Sequence, residues 1–157
     1  MNKKSACCFS GHRKLPKDKI ENIKKRLSLE IDNLIEQNVI EFISGGALGF
    51  DQVVARLIIT KKEMGQDIRL VFALPCINQE KLWGAEQKRL YYSLLEKADE
   101  IVYVSKEYTK DCMKKRNQYI VERSSYCICA MLYSRSGTGQ TVRYAEKQDL
   151  YIVNVAE

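Results

Sequence analysis

The chain has no apolar run approaching the length needed to span a bilayer, and this argues against an integral membrane protein. Its opening Met1-Asn2-Lys3-Lys4 is followed by only a short apolar stretch before Ser10-Gly11-His12, so no signal peptide is expected and the cytoplasm is the expected compartment. Histidine occurs once, at His12, which leaves no paired imidazoles for a metal. Cys127-Ile128-Cys129 lacks the two-residue spacer of a zinc knuckle, so no metal site is expected. Neither glycine-rich turn carries a Walker-type lysine, and there is no Gly-x-Ser-x-Gly elbow. Classical nucleoside triphosphate hydrolysis and serine hydrolysis are thereby poorly supported. There is no internal repeat, low-complexity tract or linker.

What remains describes one domain over residues 1–157, long enough to bury a core without disulfides or metal. Six cysteines are present, but Cys7, Cys8, Cys127 and Cys129 lie in apolar strand-like runs where a thiol acts as a small hydrophobe; reduced, buried cysteines are expected. The 26 basic and 20 acidic residues leave a formal charge of +6. That surplus favours phosphate-bearing or nucleic-acid partners, although its spread over Lys3, Lys4, Arg13, Lys14, Lys17, Lys24 to Arg26, Lys61, Lys62 and Lys114 to Arg116 also suits ordinary solvated helix faces.

Two turns carry the chemistry. Phe42-Ile43-Ser44 runs into Gly45-Gly46-Ala47-Leu48-Gly49-Phe50-Asp51 and then an apolar-periodic stretch, which reads as strand, tight turn and helix N-terminus. After the apolar stretch from Tyr126 to Tyr133 comes Ser134-Arg135-Ser136-Gly137-Thr138-Gly139-Gln140-Thr141, again entering a helical pattern. Unpaired N–H groups and the positive dipole end make a helix N-terminus attractive to phosphate. A βα turn that uses glycine for geometry alone accounts for one such loop. Two at the carboxyl ends of strands point more strongly to a ligand edge.

Along the chain, strands are expected at Ala6 to Phe9, Val39 to Ile43, Ile68 to Leu74, Glu100 to Val104, Tyr126 to Tyr133 and Leu150 to Val155. Helices are expected at about Lys17 to Gln37, Phe50 to Met64, Gln79 to Lys97, Met113 to Arg123 and Gln140 to Gln148. Trp83 reads as core of the third helix. The alternation predicts an α/β, Rossmann-like, doubly wound and mainly parallel sheet of about six strands with helices on both faces.

Ser10-Gly11-His12-Arg13 ends the first strand, beside the two turns. Arg13 suits bidentate phosphate binding and His12 hydrogen bonding or proton shuttling; a surface charge and a turn residue are the plainer readings. Arg116 and Asn117, early in the fourth helix, suit phosphate or carboxylate and a ribose or base edge, against a basic exposed turn. Asp51 either complements its helix dipole or accepts from ribose hydroxyls.

These pieces together resemble the SLOG superfamily in its DUF1273 or YpsA-like branch. The resemblance rests on Ser10-Gly11-His12-Arg13, Ser44-Gly45-Gly46-Ala47-Leu48-Gly49-Phe50-Asp51, Met113-x-x-Arg116-Asn117, and Ser136-Gly137-Thr138-Gly139-Gln140-Thr141 with Val142-Arg143-Tyr144-Ala145. Related branches are the Lonely-guy phosphoribohydrolases and the Rossmann-like core of the DNA-processing protein A family. The resemblance implies a Rossmann-like fold, a nucleotide or nucleotide-derived ligand, self-association through helices flanking the sheet, and a bacterial or phage setting. In the Lonely-guy pattern an Arg of Met-His-x-Arg-Lys works with a Glu closing Gly-Gly-x-Gly-Thr-x-x-Glu. Arg116 matches the first, but Arg143 stands at the Glu position, where a guanidinium can neither stabilise an oxocarbenium-like centre nor act as a base.

The expected function is therefore binding of a small nucleotide ligand by a sensor-type domain that requires no cofactor. Gly45, Gly46, Gly49, Gly137, Thr138 and Gly139 would supply backbone N–H groups, Arg13 and Arg116 charge, and Asp51 and Asn117 selection, with Ser10, Gly11, His12 and Thr141 alongside. Hydrolysis of a nucleotide at its glycosidic bond is the enzymatic alternative, with Asp51, Arg116 and Glu146 as catalytic candidates. Single-stranded nucleic-acid binding ranks third, since no interleaving of exposed aromatic and basic residues stands out, although Tyr103, Tyr108 and Tyr119 are available.

Overall fold

The computed structural model describes residues 5–157, so the basic pair Lys3 and Lys4 lies outside the described residues. Six strands and five helices alternate: β1 (Ala6–Gly11), α1 (Lys17–Glu36), β2 (Glu41–Ser44), α2 (Phe50–Glu63), β3 (Arg69–Leu74), α3 (Ala85–Glu96), β4 (Glu100–Tyr103), α4 (Cys112–Glu122), β5 (Tyr126–Ala130), α5 (Gly137–Lys147) and β6 (Tyr151–Asn154). All neighbouring strands pair in parallel, in the order β4-β3-β2-β1-β5-β6.

Handedness decides where the helices go. From β1 to β4 the chain steps along the sheet in one direction, and right-handed crossovers put α1, α2 and α3 on one face. It then returns past β1 through α4 and continues outward through α5, so the same rule puts both on the other face. Side chains alternate accordingly. Phe9, Phe42, Leu70 and Phe72 pack with Leu27 and Ile31 of α1 and Phe50, Val54 and Ile58 of α2, forming the larger core. Ala6, Cys8, Ile43, Val71, Ala73 and Cys127 meet Ile120 and Val121 of α4 and Ala145 of α5. Each large, fully buried aliphatic or aromatic side chain is worth about 1.5–3 kcal/mol, so the aromatic-rich first layer dominates.

The helices follow from spacing and ends. In α1 the buried residues Ile23, Leu27, Ile31 and Leu34 form one stripe, and Pro16 sits at the N-cap, where its missing N–H costs nothing. The helix ends before Asn38, which takes the left-handed conformation at φ 69. All six cysteines are buried free thiols.

Three elements differ from the sequence expectation. The third helix starts at Ala85 rather than near Gln79, because Asn78–Trp83 folds into turns and the Gly84 N–H donates to Gln87 Oε1, 2.9 Å away, as the helix opens. Leu82, expected on an apolar helix face, is therefore 93% exposed, while Trp83 packs from the turn, edge-on to Tyr91. The fifth strand stops at Ala130, three residues early. Finally, α5 begins at Gly137 rather than Gln140, because the Ser136 hydroxyl accepts from the Gly139 N–H at 3.0 Å and draws both glycines into the first helical turn.

Candidate functional site

The strand order reverses between β1 and β5, leaving a crevice beyond their carboxyl ends. A cavity of about 520 Å³ lies there. Its lining includes Ser10 and Gly11 at the end of β1, His12 to Lys14 after it, Ala47 from the β2–α2 turn and Asp51 from the start of α2, Met113, Arg116 and Asn117 from α4, Tyr133 and Ser136 before α5, and Gly137 and Thr138 in its first turn. The two glycine turns thus share one rim.

Their contributions differ. At the start of α5 the N–H groups of Gly137 and Thr138 occupy the first helical positions, which have no intrahelical acceptor, and both residues line the cavity. Gly139 does not line it. Its N–H is spent on Ser136, and a Cβ there would lie 1.8 Å from the Ser134 carbonyl oxygen. Thr141 also faces away, donating to the Gly137 carbonyl at 3.1 Å.

In the β2–α2 turn, Gly45, Gly46 and Gly49 are absent from the lining. The Gly46 N–H donates to Ser44 Oγ and the Ala47 N–H to Asp51 Oδ2, each at 3.2 Å, so the turn satisfies these two amides itself. What the glycines provide is close approach: a Cβ on Gly45 would meet the Arg116 guanidinium at 2.4 Å, and one on Gly49 the Arg13 carbonyl oxygen at 2.3 Å. Of these three glycines, expected as phosphate-binding amides, none lines the cavity, and the Gly46 N–H is held by Ser44.

Arg116 is the hub of the site. Although only 6% exposed, its Nη1 donates to the Gly45 carbonyl at 2.6 Å and the Ala73 carbonyl at 3.4 Å, and its Nε to Asn117 Oδ1 at 2.8 Å. Asp51, 7% exposed, has its carboxylate on the same side of Gly45 as the guanidinium: a Cβ there would lie 2.7 Å from Asp51 Oδ2 and 2.4 Å from Arg116 Nη1. Burial raises the Asp51 carboxyl above its ordinary 3.8; the Arg116 and Arg13 cations and the Ala47 N–H oppose that shift without cancelling it. Burial also lowers the Arg116 guanidinium, which the Asp51 carboxylate partly offsets, yet a guanidinium stays charged in a protein. Arg13 is exposed at the cavity mouth and forms no ion pair among the described residues.

His12 joins the β1 and β5 loops. Its Nε2 accepts from the Leu132 N–H at 3.0 Å, and its ring stacks on Tyr133 with centroids 4.3 Å apart. An Nε2 that accepts must be unprotonated, so the imidazole is neutral with its proton on Nδ1; burial lowers its pKa from the ordinary 6.5 in agreement. Ser10 and Gly11 line the floor, and a Cβ on Gly11 would collide with the Phe50 ring at 2.4 Å.

Glu146 is exposed and lies outside the cavity, as does Arg143, whose Nη1 donates to the Ser134 carbonyl at 3.1 Å. Lys14, Ala47, Met113, Tyr133 and Ser136 line the site without having been expected there. Ser136 carried a readable signal, a serine immediately before a helical pattern; Ala47 and Tyr133 carried none.

A parallel sheet with this strand order and a ligand-sized crevice at its reversal point defines a Rossmann-like, doubly wound domain. The chain matches the YpsA family model, described as the YspA SLOG family, over residues 9–152, and it belongs to that family. Among curated relatives it is 33% identical over 138 residues to the SPbeta prophage-derived protein YoqJ of Bacillus subtilis (strain 168), covering 80% of this chain and 81% of that protein. It is 30% identical over 129 residues to a UPF0398 protein of Halalkalibacterium halodurans, covering 81% and 67% respectively.

Two solved structures share the fold. DNA processing protein A (DprA) from Streptococcus pneumoniae superposes with a TM-score of 0.69 at 18% identity, over 96% of this chain and 50% of that one. The DNA processing protein A of Helicobacter pylori, whose structure was described for its single-stranded DNA binding mode, gives 0.64 at 16%, over 94% and 63%. The chain therefore spans half to about two thirds of these longer proteins. Among the described residues, no helix is long and apolar enough to cross a membrane.

Proposed function

We propose that this protein binds a phosphorylated, nucleotide-type small molecule in the crevice beyond β1 and β5, as a ligand-binding or sensor domain. One observation carries the reading: the opening amides of α5, the exposed Arg13 and the buried Arg116 converge on a single cavity of about 520 Å³. Helix N-terminus and arginines are complementary to an anion, the first by its dipole and free N–H groups, the second by charge-assisted hydrogen bonds. Asp51, Asn117 and the Nδ1–H of His12 supply polar selection for a ribose or base.

Against catalysis stands the supply of carboxylates. The Lonely-guy arrangement works through a Glu at the end of its second glycine motif, but Arg143 stands at that position here and Glu146 lies outside the cavity, which leaves Asp51, buried beside Arg116, as the one acid lining it. The single-stranded nucleic-acid reading draws support from the fold shared with the H. pylori protein.

Arg13→Ala is the cleaner probe, because Arg116 also holds buried carbonyls and its removal would disturb the fold. Titration calorimetry against a panel of nucleoside mono-, di- and triphosphates is expected to find a ligand whose affinity falls about tenfold in Arg13→Ala, close to 1.4 kcal/mol, with unchanged melting. Failure of every nucleotide to bind the native protein would overturn the proposal. Release of free base during the same incubations would move the assignment to the hydrolase.

A further inference from the structure

Asn117 lines two cavities. Besides the crevice above, it borders a groove of about 390 Å³ between α4 and α5, lined by Lys114 and Gln118 of α4 and by Gln140, Thr141, Arg143, Tyr144 and Lys147 of α5. No carboxylate lines this groove, and none of its three cations forms an ion pair among the described residues. Basic residues scattered over a surface ordinarily pair with acids or point apart. Here Gln140, Arg143, Tyr144 and Lys147 repeat at helical spacing along one stripe of α5, and Lys114, Asn117 and Gln118 do the same on α4. The stripe starts next to the amides of Gly137 and Thr138 and ends at Lys147, about 15 Å further along the helix axis by the rise per residue.

From this continuity we infer that the crevice is only the first subsite, and that the α4–α5 groove is a second one for the next phosphate of a ligand containing at least two linked nucleotides. The inference rests on the nucleotide-binding reading above. The first phosphate sits at the α5 N-terminus; the chain of the ligand passes Asn117; the following phosphodiester meets Lys114, Arg143 and Lys147, while the amides of Gln118 and Gln140 offer donors and acceptors to sugar or base edges. A free dinucleotide and a single strand share this chemistry.

The test compares the native protein with Lys114→Ala/Lys147→Ala, both exposed positions without hydrogen-bond duties among the described residues. The probes are deoxyadenosine 5′-monophosphate, the 5′-phosphorylated dinucleotide of deoxyadenosine, and the corresponding octamer, each titrated at several salt concentrations. The native protein is expected to bind the dinucleotide at least about tenfold more tightly than the monophosphate. The double variant is expected to lose that advantage while keeping its monophosphate affinity and its melting temperature. The salt dependence of octamer binding is expected to flatten by about 0.7 in log–log slope for each contact removed.

Equal affinity for mono- and dinucleotide, or a double variant that retains the preference, would overturn the second subsite and leave the crevice reading standing. Absence of binding by every probe would overturn both. An octamer no tighter than the dinucleotide would assign the groove to a free dinucleotide, and a further gain would assign it to a single strand.

Discussion

At the scale of single residues, the site depends on polar groups removed from water and held by the backbone. His12 shows the consequence most directly. Its folded-state pKa lies below the ordinary 6.5, so as pH falls through that value the unfolded chain takes up a proton before the folded one does. Stability is therefore expected to be lost on acidification from about pH 6.5 downward and recovered above it. Melting curves between pH 5 and 8 should show this slope in the native protein and a weaker one in His12→Gln. An identical slope in both would remove His12 as the cause. Arg116 was legible as a cation early in a helix, but not as the buried partner of Gly45 and Ala73, because those contacts join residues separated by 71 and 43 positions.

At the scale of elements, the turns explain both the success and the misreading of the glycine pattern. The sequence announces a strand, a turn and a helix at residues 42–59, and the structure has all three. Who fills the space left by the absent side chains is a matter of neighbouring elements, and in the β2–α2 turn they are α4 and the loop after β1. Gly49→Ala tests this. At φ 85, with the Arg13 carbonyl in the position of the new Cβ, the substitution is expected to cost on the order of 2 kcal/mol or more and to lower the midpoint of urea unfolding without changing its slope. An unaffected midpoint would mean that the turn relaxes freely. The α5 turn was misplaced for a related reason: glycine's poor helix propensity argues against a helical turn, and the Ser136 cap outweighs it.

At the scale of the molecule, stability comes from two apolar layers on a parallel sheet, with no covalent cross-link among the described residues. The thiols are all within the fold, the most accessible being Cys76 at 1%. A thiol reagent is thus expected to label the native protein only as fast as it opens, and to label all six cysteines in denaturant. Added reductant is expected to leave the melting temperature unchanged; a fall would reveal a bridge. This order was readable in outline because periodicity and alternation are local properties, and strand–helix alternation with right-handed crossovers admits few topologies.

Apolar periodicity, glycine placement and chain order were enough to determine the class of fold, the number of strands and the placing of both glycine turns at carboxyl ends of strands. They operate over a few residues, or follow from chirality. Packing between elements selected which turn residues reach the crevice and which side chains meet: Gly137 and Thr138 line it, Gly45, Gly46 and Gly49 lie outside the lining with other residues where their side chains would be, and Glu146 is outside as well. The reason is that close packing between elements distant in the chain sets the accessibility of a turn, and no local pattern encodes what will be packed against it.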